Sequence, residues 1–187
     1  MHPTKPGSAC AATEEIIKSK AAIGDHPIHP ALVPLPIGCF FLALVSDVLH
    51  ALTRNAFWYD VSAFAIGVGI ATALAAAVFG FIDFIAVEMS PAGWRIAKIH
   101  LALNLTAVVL YVASFWIRRD HRALGNDAWM PAFVLQLVGF MILGTSGWLG
   151  GKLSFEHKVG VVETADPEAT KLGLKREGAT GGQRAAS

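Results

Sequence analysis

Four long apolar stretches separated by short polar links dominate the chain. The first runs from about Ala31 to Leu52 and the second from about Val61 to Val87. The third covers about Ile96 to Ile117, and the fourth about Pro131 to Gly151. Each supplies the roughly 20 residues that a helix needs to cross a bilayer core. The link from Met89 to Arg95, around Ser90-Pro91-Ala92-Gly93, is too short for anything but a reversal, so successive helices become antiparallel neighbours. The pattern predicts an all-α integral membrane protein, an antiparallel four-helix transmembrane bundle with polar tails. Residues 1–23 form a polar N-terminal tail with a short interfacial helix at Thr13–Lys18, residues 24–162 the four-span membrane domain, and residues 163–187 a disordered polar tail.

Composition supports lipid as the solvent. Hydrophobic residues make up 54% and charged residues only 16%, against about a quarter charged in soluble domains. A net charge of +1 gives no reason to expect nucleic acid. Cys10 and Cys39 cannot build a disulfide framework, and no C-x-x-C-H is present for covalent haem attachment. Met1 to Lys20 is polar and lacks the apolar core of a signal peptide, so the N-terminus is expected to stay uncleaved. Lys18, Lys20, Arg95, Lys98, Lys152 and Lys158 outnumber Arg54, Arg118, Arg119 and Arg122 across the membrane, which favours cytoplasmic termini.

The candidate chemistry lies at the ends of the spans. Asp25-His26-Pro27-Ile28-His29-Pro30 precedes the first span, and each histidine is followed by a proline that pushes it towards extended geometry. A stiff arm is therefore expected, and a late helix start or a kink near Pro36. Alternating helix direction gathers His26, His29, Asp83, Glu88, His100 and His157 on one rim. The opposite rim collects Asp47, His50, Gln136 and His121, with arginines. In the third span His100, Asn104, Ala107, Tyr111 and Ser114 recur at steps of four and three, one stripe that should face the bundle. Cys39, Ala43, Ser46 or Asp47, and His50 form a matching stripe in the first span. Small residues at Gly69, Ala73, Ala77 and Gly80, and at Gly144, Gly147 and Gly151, allow backbones to approach closely.

Imidazole is the commonest metal ligand, and bundle sites recur on facing helices. His26, His29, His100 and His157 are therefore the candidate ligands for a b-type haem or a transition metal, with His100 and either His26 or His29 as the axial pair. Asp83 is placed to orient a ligating imidazole by accepting its N–H. Asn104 and Asp47 are intramembrane polar residues, Asp47 being expected to bridge to Gln136, Ser62 or Arg54. Singly, each histidine is explained as well by a bond to a carbonyl or by solvation. His2 and His121 are assigned nothing. No phosphate loop, nucleophile elbow or zinc-protease helix occurs, so no catalytic residue is assigned.

Gly24-Asp25-His26-Pro27-Ile28-His29-Pro30 running into Pro36-Ile37-Gly38, Asp47, Gly80-Phe81-Ile82-Asp83 and His100-Leu101-Ala102-Leu103-Asn104 together resemble a bacterial family catalogued as domain of unknown function 2231. Ser146-Gly147-Trp148-Leu149-Gly150-Gly151-Lys152-Leu153 and Glu156-His157-Lys158-Val159-Gly160-Val161 complete the resemblance, which covers about Gly24 to Val162. It implies a four-helix protein of the bacterial inner membrane and no settled activity. The architecture is similar to four-helix di-haem cytochromes of the b-type. This chain departs from a two-haem pattern, because its second and fourth spans carry no histidine.

Three readings follow. The first is haem or metal binding with electron transfer to a redox protein or quinone. The second is a non-catalytic membrane subunit docking a partner through the HPIHP arm. The third is a small transporter or proton relay using Asp47, Asp83 and His100, disfavoured by four spans with no obvious inverted repeat. Membrane lipid is the expected surrounding in each reading, and a homo-oligomer is compatible with each.

Overall fold

A computed structural model describes residues 21–23, 26–124 and 129–156, with the backbone alone over 120–124. Two short strands, β1 (Ala22–Ile23) and β2 (His26–Pro27), pair antiparallel. Five helices follow: α1 (Ile28–Leu32), α2 (Pro34–Thr53), α3 (Ala56–Ala86), α4 (Pro91–Leu124) and α5 (Trp129–Phe155). Four spans of 26, 31, 29 and 27 residues are long and apolar enough to cross a membrane, α1 and α2 together making the first. The chain is an all-α bundle of the expected kind. The interfacial helix over Thr13–Lys18, Cys10, His157 and the C-terminal tail lie outside the described residues.

The spans all begin earlier than apolar content alone places them, and their starts are capped. Asn55 accepts the Phe57 N–H at 3.0 Å to start α3, and Ser90 accepts the Gly93 N–H at 3.1 Å to start α4. Pro91 opens α4, where its missing N–H costs nothing. Arg54 adopts the left-handed conformation, φ 56°, and closes α2 by donating its N–H to His50 O at 2.8 Å.

The HPIHP arm corrects one expectation. His26-Pro27 is extended as expected, but His29-Pro30 is helical, since Pro30 falls in the first turn of α1, where no N–H donor is needed. The break comes at Val33, between α1 and α2, and not near Pro36. Pro34 and Pro36 each remove a donor there, and the helical path survives through Val33 N to His29 O at 3.1 Å and Ile37 N to Val33 O at 3.4 Å.

Helices α2 and α3 form one tight hairpin and α4 and α5 another; α3 also touches α4, and α5 touches α2. Helices α2 and α4 therefore stand diagonally, and their long side chains fill the centre. Phe40 stacks on Tyr111 there, with ring centroids 3.6 Å apart and planes at 12°. Ala43, Ala65 and Ile66 complete the buried core beside them. Phe41, Phe64, Leu74, Val109, Met141 and Trp148 point outward, as expected where the solvent is hydrocarbon.

The two hairpins repeat one another in the same direction. His29 and Phe40 lie against Gly80 and Gly69 of α3; His100 and Tyr111 lie against Gly150 and Gly139 of α5. Eleven residues separate the members of each pair. His29 bonds to the carbonyl four residues before its glycine, at Ala76, and His100 does the same at Ser146. The stripe His100, Asn104, Ala107, Tyr111, Ser114, Arg118 thus has as its counterpart His29, Val33, Pro36, Phe40, Ala43, Asp47, with the same steps. Ala43 and Asp47 were legible in the first span, whereas Cys39 is only half-buried and His50 sits at the rim. The repeat is a parallel one, not an inverted one.

Candidate functional site

At one end of the axis stand the two equivalent histidines, His29 from α1 and His100 from α4. His29 Nδ1 lies 2.8 Å from Ala76 O. A carbonyl only accepts, so this nitrogen carries a proton, and the Nδ1–H bond fixes the orientation of the ring. Gly80 makes the approach possible, because a Cβ there would stand 2.7 Å from His29 Nδ1.

His100 is fixed in the same tautomer. Its Nδ1 donates to Ser146 O at 2.8 Å and shares that proton with Ser146 Oγ at 3.0 Å, while the serine hydroxyl donates to His100 O at 3.3 Å. Asn104 Nδ2 donates to His100 O at 2.9 Å and lies 3.0 Å from His100 Nε2. The carbonyl identifies the amide atom as nitrogen, and its second hydrogen then goes to Nε2, which must be the bare nitrogen. Both imidazoles thus keep Nδ1–H on a backbone carbonyl of the facing helix. Their Nε2 atoms are the nitrogens able to bind a metal.

The other candidates fall into place separately. His26 is exposed on the β1–β2 hairpin. His157 lies outside the described residues. Asp83 accepts the backbone N–H of Ala21 at 3.0 Å, fastening the N-terminal segment to α3. The rim is therefore narrower than the sequence suggested: His29 and His100 take equivalent places at one end of the axis, and no group of three or more His, Cys, Asp or Glu side chains forms a metal cage among the described residues.

The opposite end of the axis holds Asp47, which is 1% exposed, beside Arg118 at 2%. Arg118 Nη1 donates to Asp47 Oδ1 at 2.9 Å, Nη2 to Oδ2 at 2.5 Å, and Nη2 also to Gln136 Oε1 at 3.1 Å. Gln136 was an expected partner of Asp47, but the cation is Arg118. Arg54 instead caps α2 at the exposed rim. Arg118 is therefore not one of the rim arginines; its place four residues after Ser114, on the same stripe, is the signal that it faces inward. Tyr59 Oη donates to Arg118 O at 3.1 Å, and its ring lies under the guanidinium.

Comparison with known proteins agrees with this architecture. The family model described as predicted membrane protein (DUF2231) matches residues 25–163, and the chain belongs to that family. No curated protein and no solved structure matches the chain.

Proposed function

We propose that this protein is an electron carrier of the bacterial inner membrane that binds one b-type haem between His29 and His100. The observation supporting this reading is the matched tautomer. Two imidazoles on diagonal helices are each locked through Nδ1–H, leaving Nε2 as the donor, as axial ligands require. The donor set favours haem over a bare ion. A transition metal ion asks for four or more ligands, whereas iron already held by a porphyrin needs only one or two imidazoles.

Bound there, the haem would supply one-electron exchange, with a soluble redox protein or membrane quinone as partner. Both termini are proposed to be cytoplasmic. Burial of Arg118 in an ion pair removes one charge from the opposing rim and so strengthens that orientation.

A second reading, docking of a partner through the N-terminal arm, draws on the exposure of Ile23 and His26 on the hairpin. Oxidised and dithionite-reduced absorption spectra of the detergent-purified protein, expressed with ample haem, separate the two. A Soret band that sharpens on reduction, lost in His29→Ala and His100→Ala but kept in His26→Ala, is expected. A colourless protein that is still helical removes the haem and the redox role, leaving the docking arm.

A further inference from the structure

Gly69, Gly80, Gly139 and Gly150 each receive a ring from a neighbouring helix, whereas Gly144, Gly147 and Gly151 have nothing within 4 Å of where a Cβ would stand. Glycine is a poor helix former, so three of them on the outside of α5 point to a partner that comes from beyond the chain. The same side of α5 is concave. An open groove of about 380 Å³, lined by Leu103, Leu137, Val138, Met141, Ile142 and Thr145, borders these glycines.

The parallel repeat shows what fits there. Matching Gly69 with Gly139 and Gly80 with Gly150 sets α3 and α5 at equal depth and in the same direction. They form the second diagonal of the bundle, so their outer faces look to opposite sides. Those faces are opposite in size. The exposed Leu74 matches Gly144, the exposed Phe81 matches Gly151, and the exposed Met141 matches Ala71. At one level both are large, Val78 and Trp148, and there the exposed Ala75 and Ala77 give the indole room to lie across α3. Charge follows the same division at the shared rim, where α5 carries the half-exposed Lys152 and α3 is followed by the exposed Glu88.

We propose that the outer face of α5 is a docking surface for a second copy of this chain, covered by that copy's α3 running parallel at the same depth. Leu74 and Phe81 of one copy enter the gaps over Gly144 and Gly151 of the next, and Met141 enters the gap over Ala71. Close packing of this kind joins helices in lipid, where hydrophobic drive is absent. Like faces do not achieve it: two α5 faces set Met141 and Trp148 against themselves, and two α3 faces do the same with Leu74 and Phe81. A copy joined through α5 still offers its own α3, so the contact is head-to-tail and assembly continues past the dimer. The proposal is independent of the haem reading.

Disulfide crosslinking in native membranes tests it, on the full-length chain with Cys10→Ser and Cys39→Ala. Leu74→Cys with Gly144→Cys, and Phe81→Cys with Gly151→Cys, are each expected to give a ladder of dimers, trimers and larger species on mild oxidation. The two members of each pair lie on opposite sides of one bundle, so a bond within one chain does not form. Each single-cysteine variant should stay monomeric. Crosslinking of Gly144→Cys alone overturns the head-to-tail contact in favour of a symmetric one, and no ladder from either pair overturns the docking surface itself.

A size exchange separates packing from chance collision. Gly144→Leu, added to the Phe81→Cys, Gly151→Cys chain, fills a gap on an outer face where nothing within the chain packs, and should abolish the ladder. Adding Leu74→Gly as well moves the large residue to α5 and the gap to α3, and should bring the ladder back. A ladder that survives Gly144→Leu, or one that the exchange fails to restore, overturns the proposal.

Discussion

Asp47 and Arg118 occupy matching positions in the two hairpins, and they bond to each other across the bundle axis. Two copies of one residue would bring like charges together at this point. Opposite charges convert the same geometry into a bidentate bond that closes the diagonal pair.

Removing one member leaves the other charged, buried and without its counter-ion, which costs about 3–5 kcal/mol. Asp47→Ala and Arg118→Ala should each lower the unfolding midpoint in detergent sharply. Exchange of the two, Asp47→Arg with Arg118→Asp, should recover most of the loss, because the positions are equivalent. Circular dichroism melts of the three variants test this, and an exchange variant no better than the single ones would show the positions are not equivalent.

Gly69 carries the aromatic half of the core. A Cβ there would stand 2.5 Å from Phe40 Cε1 and 2.8 Å from Cδ1. The ring has nowhere to retreat, since Tyr111 stacks on its other side. Gly69→Ala is therefore expected to cost about 1–3 kcal/mol by overpacking. Phe40→Leu in the same chain should restore part of that, a rescue read by comparing melts of single and double variants.

How much of this was written in the sequence varies with the physics involved. The four spans were legible because a bilayer demands length and apolarity, both local properties. The α4 stripe was legible too, since Tyr111 and Ser114 are fully buried along it. Its partner on the first span was legible in its later part, where Ala43, Ser46 and Asp47 are buried and His50 packs against Tyr59 and Trp129; the earlier inward positions, Pro36 and Phe40, are indistinguishable by type from lipid-facing ones. Of the histidine rim, His29 and His100 take equivalent places, and what singles them out is the pair of glycines at Gly80 and Gly150. A glycine's meaning depends on what approaches it from another helix, and that is a tertiary fact. Arg118 was hidden for the opposite reason. Arginine beside a span end is ordinarily a snorkelling anchor, and only the distant Asp47 reverses the expectation.

Tyr111 offers a test of the core in the stabilising direction. Its hydroxyl is buried and has no hydrogen-bond partner among the described residues. A buried polar group left unsatisfied costs about 1–3 kcal/mol. Tyr111→Phe keeps the stack on Phe40 and removes the group, so its melting midpoint should equal or exceed that of the wild type. A clear loss of stability would mean the hydroxyl is bonded in the membrane-embedded protein.

The two histidine cradles should fail unequally. At Gly80 an added Cβ would stand 2.7 Å from His29 Nδ1, the atom that bonds Ala76 O, and 2.8 Å from Cε1. At Gly150 the nearest atom is His100 Cε1 at 3.0 Å, and Nδ1 is 3.5 Å away. Gly80→Ala therefore has to break the bond that sets the tautomer of His29, whereas Gly150→Ala needs only a shift of a few tenths of an ångström. His100 is moreover held by Ser146 and Asn104 together, so its ring has support when pushed. Under the haem reading, Gly80→Ala should lose most of its haem and Gly150→Ala should keep most of it, measured as Soret absorbance per protein. The reverse order would mean that His100 is the anchoring ligand.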